Sequence, residues 1–213
     1  MKKALIIGGT GLVGKQLTYL LVGDKRYAKI ILLVRTPMNI IHNKLEQVVF
    51  DFDNPDFSAV KGDDIFCCLG TTIRDAGSKA AFYKVDYEYV IMLATHGFKN
   101  GASQLALVSA MGANKSAAVF YNQTKGKIEE AVKAIGYRGC FIFRPSLLLG
   151  HRSEFRMGES IAKIAMTAFS FMLPKKYKAV DADKVAKAMQ VVMNSGKIGV
   201  KIFESDFING INY

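Results

Sequence analysis

Near its start the chain reads Lys3-Ala-Leu-Ile-Ile-Gly-Gly-Thr-Gly-Leu-Val-Gly14, an apolar run that leads directly into a glycine-rich turn. Apolar residues at helical spacing follow, so the pattern predicts a buried strand, a tight turn and a helix. Gly8 allows the sharp turn, Gly11 lets a pyrophosphate approach the backbone, and Gly14 lets the helix pack closely on the strand. The start of the helix offers free N–H groups to phosphate. This stretch therefore predicts a dinucleotide-binding unit.

Strand-like and helix-like segments alternate along the rest of the chain. Further strands are predicted at positions 29–34, 48–50, 64–70, 104–108, 140–145 and 200–203. Helices are predicted at positions 12–22, 78–100, 114–134, 158–171 and 182–193. This alternation predicts an α/β fold: a doubly wound parallel sheet (Rossmann fold) with helices on both faces and the ligand at the carboxyl ends of the strands. Residues 1–213 are predicted to form a single dinucleotide-binding domain.

The composition indicates a folded protein with a basic surface. Half of the 213 residues are apolar, and 29 Lys and Arg against 18 Asp and Glu give a net charge of +11. Such a charge favours polyanions, including nucleotide phosphates, nucleic acid and anionic membranes. The longest run of Lys and Arg is only two residues, however, and no apolar stretch approaches the length of a membrane span. We therefore expect a partner that is neither nucleic acid nor membrane.

The three cysteines, Cys67, Cys68 and Cys140, all lie in apolar strand-like runs. An odd number of thiols in buried strands is typical of a protein whose cysteines stay reduced. No signal peptide is visible, because glycines interrupt the only early apolar run. These observations predict a cytoplasmic protein.

Arg35 stands at the end of the second predicted strand, where this kind of fold selects its cofactor. An NAD site has Asp or Glu there to hold the ribose hydroxyls, whereas an Arg without a neighbouring acid suits the extra phosphate of NADP. The alternative is an ordinary surface Arg at a strand end. With the glycine-rich turn upstream, Arg35 predicts NADP(H) as the cofactor.

Two other strand ends supply candidate cofactor contacts. Asp51 and Phe52 follow the third predicted strand and are candidates to contact the adenine, although a helix cap and a packing aromatic explain them equally well. Leu69 and Gly70 end the fourth predicted strand and are expected to pass beneath the cofactor. We predict no metal site.

The candidate chemistry lies at Tyr121 and Lys125, which are four residues apart and share one face of a predicted helix. A free Tyr titrates at about pH 10, and a neighbouring ammonium favours the phenolate. Tyr121 would then give a proton to a carbonyl oxygen as hydride arrives from NADPH, or take it back in the reverse direction. Ser109, at the end of the fifth predicted strand, is a candidate to hydrogen-bond the same oxygen. A Tyr–Lys pair at this spacing also arises by chance, so its position between two strand ends decides the interpretation.

Together these motifs resemble the short-chain dehydrogenase/reductases, in particular their atypical branch and its Tat-interacting oxidoreductase-like group. The resemblance is specific because it combines segments spread over most of the chain. These segments are Gly8–Gly14, Cys67–Thr72, Ala76-Gly77, Val85-Asp86, Ser109, Gly112–Ser116, Tyr121, Lys125-Gly126, Phe143–Pro145 and Arg152–Gly158.

The resemblance implies how NADPH would be held. The turn would bind it, an Arg would contact the ribose phosphate, and a strand end would lie under the ring. The Tyr–Lys pair would lie at the nicotinamide ribose, and two later residues would close over the cofactor. The implied residues are, in that order, Thr10, Gly11, Leu12 and Val13; Arg35; Leu69 and Gly70; Tyr121 and Lys125; and Leu148 and Arg156.

Two features depart from the family pattern. Such proteins often have a double Ser after the fifth strand, whereas this chain has Ser109-Ala110-Met111. The chain is also short after Pro145, so residues 146–180 are expected to supply most of a small substrate-side lobe.

We expect an NADP(H)-dependent oxidoreductase that acts on a small-molecule carbonyl or alcohol substrate. Two alternatives stay open. One is a regulatory protein that senses NADP(H) without turnover and acts through a protein partner, which the missing second Ser favours. The other is a protein- or RNA-binding module that uses the basic surface, which would bind in a salt-dependent way.

Overall fold

A parallel sheet of seven strands forms the centre of the protein in the computed structural model, which describes residues 1–150 and 174–211. Its strands lie in the order β3-β2-β1-β4-β5-β6-β9. A separate parallel pair is formed by β7 and β8. The strands are β1 (Lys2–Ile7), β2 (Tyr27–Val34), β3 (Leu45–Val49), β4 (Asp64–Cys67), β5 (Gln104–Val108), β6 (Gly139–Arg144), β7 (Leu148–Leu149), β8 (Val180–Asp181) and β9 (Gly199–Glu204).

Helices cover both faces of this sheet. None of the helices in the described residues is long and apolar enough to cross a membrane. The helices are α1 (Leu12–Val22), α2 (Ile73–Ala76), α3 (Lys79–Tyr83), α4 (Tyr89–Lys99), α5 (Phe120–Lys133), α6 (Ala182–Met193) and α7 (Ser205–Asn209), with a π-helical turn (Lys84–Glu88) joining α3 to α4.

Each face of the sheet has its own apolar core, because successive side chains of a strand point to opposite faces. Ala4 and Ile6 of β1 pack in the core formed with α1 and α6. Leu5 and Ile7 pack in the core formed with α4 and α5. All four side chains are fully buried, which explains why the central strands read as continuous apolar runs. The predicted α/β fold is confirmed.

The strand order places the candidate site at the centre of one sheet edge. β1 lies between β2 and β4. The chain therefore builds the sheet outward on one side of β1 with β2 and β3, and then on the other side of β1 with β4, β5 and β6. Ile7 pairs with Cys67, and Cys67 pairs with Leu107, so β1, β4 and β5 end side by side. Ligands of open α/β sheets bind outside the carboxyl ends of the strands at such a switch point.

Some predicted boundaries differ from the structure. The helix predicted at 78–100 is interrupted by the π-helical turn Lys84–Glu88, which sequence periodicity does not reveal. The strand predicted at 64–70 ends at Cys67. The helix predicted at 158–171 lies outside the described residues.

The helix predicted at 114–134 begins only at Phe120, because the preceding chain folds back over it. The backbone N–H of Asn114 donates to the carbonyl of Asn122 at 3.1 Å. This loop crosses α5 at Gly126, where an added Cβ would lie 2.1 Å from the backbone carbonyl carbon of Asn114 and from the backbone nitrogen of Lys115. Gly126 therefore allows the loop to reach the helix that holds the candidate catalytic residues.

We expect Gly126→Ala to destabilise the protein. The gain in helix propensity is about 1 kcal/mol, whereas moving the packed loop costs about 3 kcal/mol, at the upper end for overpacking. A net loss of about 2 kcal/mol lowers Tm by about 4–8 °C, measurable by thermal unfolding. Gly23→Ala is the control, since its Cβ would meet no atom closer than 3.7 Å. Equal Tm values for both variants would contradict the close approach at Gly126.

Candidate active site

The glycine-rich turn brings three backbone segments into direct contact. Gly8 has a φ of +79°, and an added Cβ would lie 2.6 Å from the backbone nitrogen of Leu69. A Cβ on Gly14 would lie 2.2 Å from the carbonyl oxygen of Gly8. Both positions therefore require glycine, the first by conformation and contact and the second by contact alone. They hold the start of α1 against the ends of β1 and β4.

Gly11 is the N-cap of α1 and faces a more open space than Gly8 or Gly14. The nearest atom to an added Cβ is the carbonyl oxygen of Gly8, at 3.4 Å. Gly11 itself has no side chain that could cap this helix end, and the first turn of α1 contains no acidic residue. The first N–H groups of a helix have no partner within the helix. This end of α1 therefore has the features of an anion-binding helix terminus.

The neighbouring candidates Thr10, Leu12 and Val13 differ in accessibility. Thr10 is exposed and Leu12 is half-buried, whereas Val13 is buried in the core. Leu12 also contacts the segment after β7, since an added Cβ on Gly150 would lie 3.1 Å from its side chain. Leu148 of β7 packs half-buried against the same core.

Arg35 is exposed directly after β2. No ion pair joins it to an acidic residue in the part of the chain that the structure describes, so its guanidinium keeps its donors for solvent or a ligand. It lies next to the segment after β3, because Val34 pairs with Val49. The choice of NADP over NAD stays a prediction.

Asp51 and Phe52 lie after β3 and take part in local structure. A carboxylate oxygen of Asp51 accepts the backbone N–H of Asp53 at 2.9 Å. The ring of Phe52 packs against Phe50 and Tyr89, with centroids 5.1 and 5.3 Å apart. These contacts match the packing alternative, and an adenine contact for either residue stays a prediction.

Tyr121 and Lys125 lie on α5 at the centre of the site. Tyr121 is half-buried, and its ring packs on Phe82 with centroids 5.4 Å apart. The Lys125 Nζ lies 6.0 Å from the centre of the Tyr121 ring. The structure therefore brings together the two residues that the spacing predicts to share a face.

Lys125 forms a buried ion pair with Asp86 of the π-helical turn. Its Nζ lies 2.6 Å from Oδ1 of Asp86, and the two side chains are 7% and 0% exposed. Burial alone lowers the pKa of a lysine, but the attraction of Asp86, followed by that of Tyr121, leaves the pKa of Lys125 raised. Gly70 lies directly against this pair, since an added Cβ would be 3.2 Å from Asp86 and 3.5 Å from Lys125.

The sequence argument named Asp86 only as part of the family resemblance and gave it no role, although the sequence contains a pattern that marks it. Phe82, Asp86 and Val90 are four residues apart, and the structure buries all three. An acid on the apolar face of a predicted helix needs a cation or hydrogen-bond donors when it is buried. Spacing alone does not show that this cation is Lys125, because the two residues belong to different helices.

Ser109 is placed differently from the prediction. It is buried, and its Oγ donates to Oε1 of Glu129 at 2.5 Å rather than lying free beside Tyr121. Arg144 also donates to both oxygens of Glu129, and this bond raises the pKa of the Arg144 guanidinium. A hydrogen bond to a charged group contributes about 1.5–3 kcal/mol. The hydroxyl of Ser109 is therefore committed to Glu129, and its predicted role on a substrate oxygen does not fit this arrangement.

Two further features of the sequence analysis are the cysteine thiols and the residues expected on the substrate side. The thiols of Cys67 and Cys140 are buried, and burial raises the pKa of each to about 11, so they are protonated at neutral pH. Arg156 and positions 151–173 of the expected substrate-side lobe lie outside the described residues.

Comparison with known proteins identifies relatives, although no protein-family model matches the chain. The chain is 33% identical over 200 residues to Protein HTATIP2 of Rattus norvegicus, covering 91% of this chain and 81% of the relative. It is 32% identical over 191 residues to "Protein FMP52, mitochondrial" of Candida albicans, covering 85% of this chain and 83% of the relative. The solved structure of MoeE5 in complex with UDP-glucose and NAD matches with a TM-score of 0.73 at 13% identity, covering 94% of this chain and 74% of that chain.

The prediction of a cytoplasmic location is wrong. Several relatives at this level of identity bear the word mitochondrial in their names, including proteins of Candida albicans, Candida glabrata and Aspergillus niger. Reduced, buried thiols report on the redox state around a protein and do not identify its compartment.

The relatives support the family inferred from the motifs. Their identity of more than 30% extends over most of the chain, and the likeness to MoeE5 agrees with the Rossmann fold. The chain belongs to the atypical short-chain dehydrogenase/reductases, in the group that contains HTATIP2 and FMP52.

Proposed function

We propose that the protein is an NADP(H)-dependent oxidoreductase that interconverts a carbonyl compound and an alcohol, with Tyr121 as the proton donor and acceptor. The observation that carries the proposal is the position of Lys125, which lies between the Tyr121 ring and Gly70, at the sheet edge where the glycine-rich turn also lies.

The cofactor phosphates would lie at the start of α1. The uncapped helix end and the open space at Gly11 suit a pyrophosphate, which the backbone N–H groups of Leu12 and Val13 would bind. The exposed hydroxyl of Thr10 is available to the same phosphates. Gly8 and Gly14 shape this cradle and do not need to touch the cofactor.

Arg35 would select NADP(H) over NAD(H). Its guanidinium is exposed next to the end of β3, and it is a planar donor that matches a phosphate group. No acidic side chain is bonded to it within the described ranges, so the extra phosphate of NADP would meet an unneutralised cation.

Tyr121 would exchange the proton. NADPH, when bound, supplies the hydride to the carbonyl carbon. The phenol of Tyr121 donates its proton to the carbonyl oxygen as the alcohol forms, and in the reverse direction the phenolate takes that proton back. Lys125 places a positive charge 6.0 Å from the centre of the ring, on the same face of α5. Ser109 has no part in this scheme because its hydroxyl is bonded to Glu129.

Residues 1–213 would form one domain, with residues 146–180 providing most of a small substrate-side lobe. The pairing of β7 with β8 supports this proposal, because it joins Leu148–Leu149 to Val180–Asp181 at the two ends of that stretch. Leu148 and Arg156 would close over the cofactor, as the family resemblance implies.

A second candidate function is a protein that senses NADP(H) without turnover. One observation favours it: the hydroxyl of Ser109 is committed to Glu129, so Tyr121 would have to act without a second hydroxyl on the substrate oxygen. Such a protein would bind NADPH through the same turn and would need no proton donor.

Removal of the Tyr121 hydroxyl separates these two functions. We expect Tyr121→Phe to lower NADPH oxidation across a panel of carbonyl compounds by at least about 100-fold, the usual contribution of a general acid. The Kd for NADPH should change by less than about threefold, because the phenol acts on the substrate. NADPH absorbance measures turnover, and fluorescence titration measures binding.

Tyr19→Phe is the matched control, since Tyr19 is a half-exposed tyrosine on α1. It should keep wild-type turnover. Equal turnover by wild type and Tyr121→Phe would refute the proton-donor role. Tight NADPH binding without turnover on any carbonyl would favour the sensing function.

Substitution of Arg35 tests the choice of cofactor. We expect Arg35→Ala to raise the Kd for NADPH about ten- to a hundredfold and to leave the Kd for NADH nearly unchanged. A hydrogen bond to a charged group contributes about 1.5–3 kcal/mol, and each 1.4 kcal/mol is about tenfold in Kd. Both constants are measured by titration at one salt concentration.

Arg138→Ala is the control for net charge, because Arg138 is exposed just before the amino end of β6, away from the site. If Arg138→Ala weakens NADPH binding as much as Arg35→Ala, the effect is general electrostatics and the assignment of Arg35 fails.

A further inference from the structure

A second cavity lies at the edge of the sheet opposite the candidate active site. It opens between the starts of β1, β5 and β6 and the loop that joins α6 to β9, and the starts of parallel strands meet at the edge opposite their ends. Its volume is about 480 Å³, within the range of roughly 300–1,000 Å³ that is usual for small-molecule sites. Its polar lining residues include Lys2, Arg26, Gln104, Arg138, Asn194 and Lys197.

The loop between α6 and β9 is a tight turn that is bonded to the start of β6. Gly196 and Gly199 have positive φ angles of +73° and +75°, a conformation that favours glycine. The backbone N–H of Gly199 donates to the carbonyl of Arg138 at 2.7 Å. Arg138 and Lys197 therefore line the cavity from two segments that a backbone hydrogen bond joins.

The cavity is basic, because four of its lining residues are cationic and none of the described residues that line it is acidic. Lys2 and Arg26 are each paired with a buried aspartate. Arg138 and Lys197 are exposed, and neither forms an ion pair within the described ranges. Two cations without a counter-charge favour an anionic ligand, and a guanidinium matches the geometry of a phosphate group.

Two side-chain amides line the same cavity, and protein acceptors fix their orientation. Nε2 of Gln104 donates to Oδ1 of Asp64 at 3.0 Å and to the carbonyl of Met193 at 3.2 Å. Nδ2 of Asn194 donates to the hydroxyl oxygen of Tyr27 at 3.2 Å. Neither amide oxygen accepts a hydrogen bond from the part of the chain that the structure describes. Both oxygens are therefore left as acceptors for a donor such as a hydroxyl group.

We propose that this cavity binds a sugar phosphate, separately from the dinucleotide that the opposite edge of the sheet would hold. Arg138 and Lys197 bind the phosphate group, and the amide oxygens of Gln104 and Asn194 accept hydroxyl groups of the sugar. Inorganic phosphate would leave the two acceptors unused, and an uncharged sugar would leave the two cations unused. The combination of unpaired cations and oriented acceptors therefore selects a ligand that carries both kinds of group.

Calorimetric titration of the full chain with glucose 6-phosphate, fructose 6-phosphate and ribose 5-phosphate tests this proposal. At least one of them should bind with a Kd below about 1 mM, and at least about tenfold more tightly than inorganic phosphate. An excess of NADPH should not displace it, because the two sites lie at opposite edges of the sheet.

Arg138→Ala and Lys197→Ala should each raise that Kd at least about tenfold, because each loses a hydrogen bond to a charged group. Both side chains are exposed and have no ion pair to lose within the described ranges, so both variants should fold. Lys127→Ala is the control, since Lys127 is an exposed lysine of α5 that does not line the cavity. It removes the same charge and should leave the Kd within about twofold of wild type.

Several results would overturn the inference. One is the absence of binding below about 1 mM for all three sugar phosphates. Another is a Kd that either Arg138→Ala or Lys197→Ala leaves unchanged. Displacement by NADPH would mean that the sugar phosphate occupies the dinucleotide site. Equal affinity for inorganic phosphate would mean that Gln104 and Asn194 do not recognise the sugar.

The proposed function and this inference fail separately. A protein that turns over no carbonyl compound can still bind a sugar phosphate in this cavity. Arg138→Ala should weaken that binding and spare the binding of NADPH, whereas Arg35→Ala should have the opposite effect.

Discussion

The close backbone contact between the turn after β1 and the segment after β4 is the constraint on which the rest of the site depends. Gly8 lies against Leu69, and Gly14 lies against Gly8, at distances that leave no room for a Cβ. Because β1 and β4 pair in parallel up to Ile7 and Cys67, this contact forms where both strands end. It places the uncapped start of α1 and the Gly70 segment at one edge, where a dinucleotide and a reacting group can meet.

The second organising feature is helix α5, which places three polar side chains one turn apart on one side. Tyr121 is half-buried at the proposed reaction centre, Lys125 pairs with Asp86, and Glu129 pairs with Arg144. Each buried charge has a partner from another element, so α5 is tied both to the π-helical turn and to the end of β6. This arrangement explains why Lys125 stays charged when buried, and why the hydroxyl of Ser109 donates to Glu129.

Much of the fold and part of the site could be predicted from the sequence. Buried strands alternate with helices, so the doubly wound sheet follows from patterning, and Tyr121 and Lys125 follow from helical spacing. The start of α5 was missed because a loop folds over it at Gly126, a contact that no local pattern shows. The hydrogen bond of Ser109 to Glu129 was also missed, because Glu129 lies on another element. The cytoplasmic location was wrong because cysteine content reflects redox state and not compartment.

The sequence by itself determined what depends on neighbours along the chain. The strand, glycine turn and helix near the start, the continuous apolar strands and the Tyr121–Lys125 face are all local, because φ/ψ preferences and helical periodicity act over a few residues. The tertiary structure alone decided which charges meet. Asp86 reaches Lys125, and Glu129 reaches Ser109 and Arg144, only because the sheet and its helices bring separate elements together. Buried ions must find partners in space, and spacing along the chain does not say which partner folding will supply.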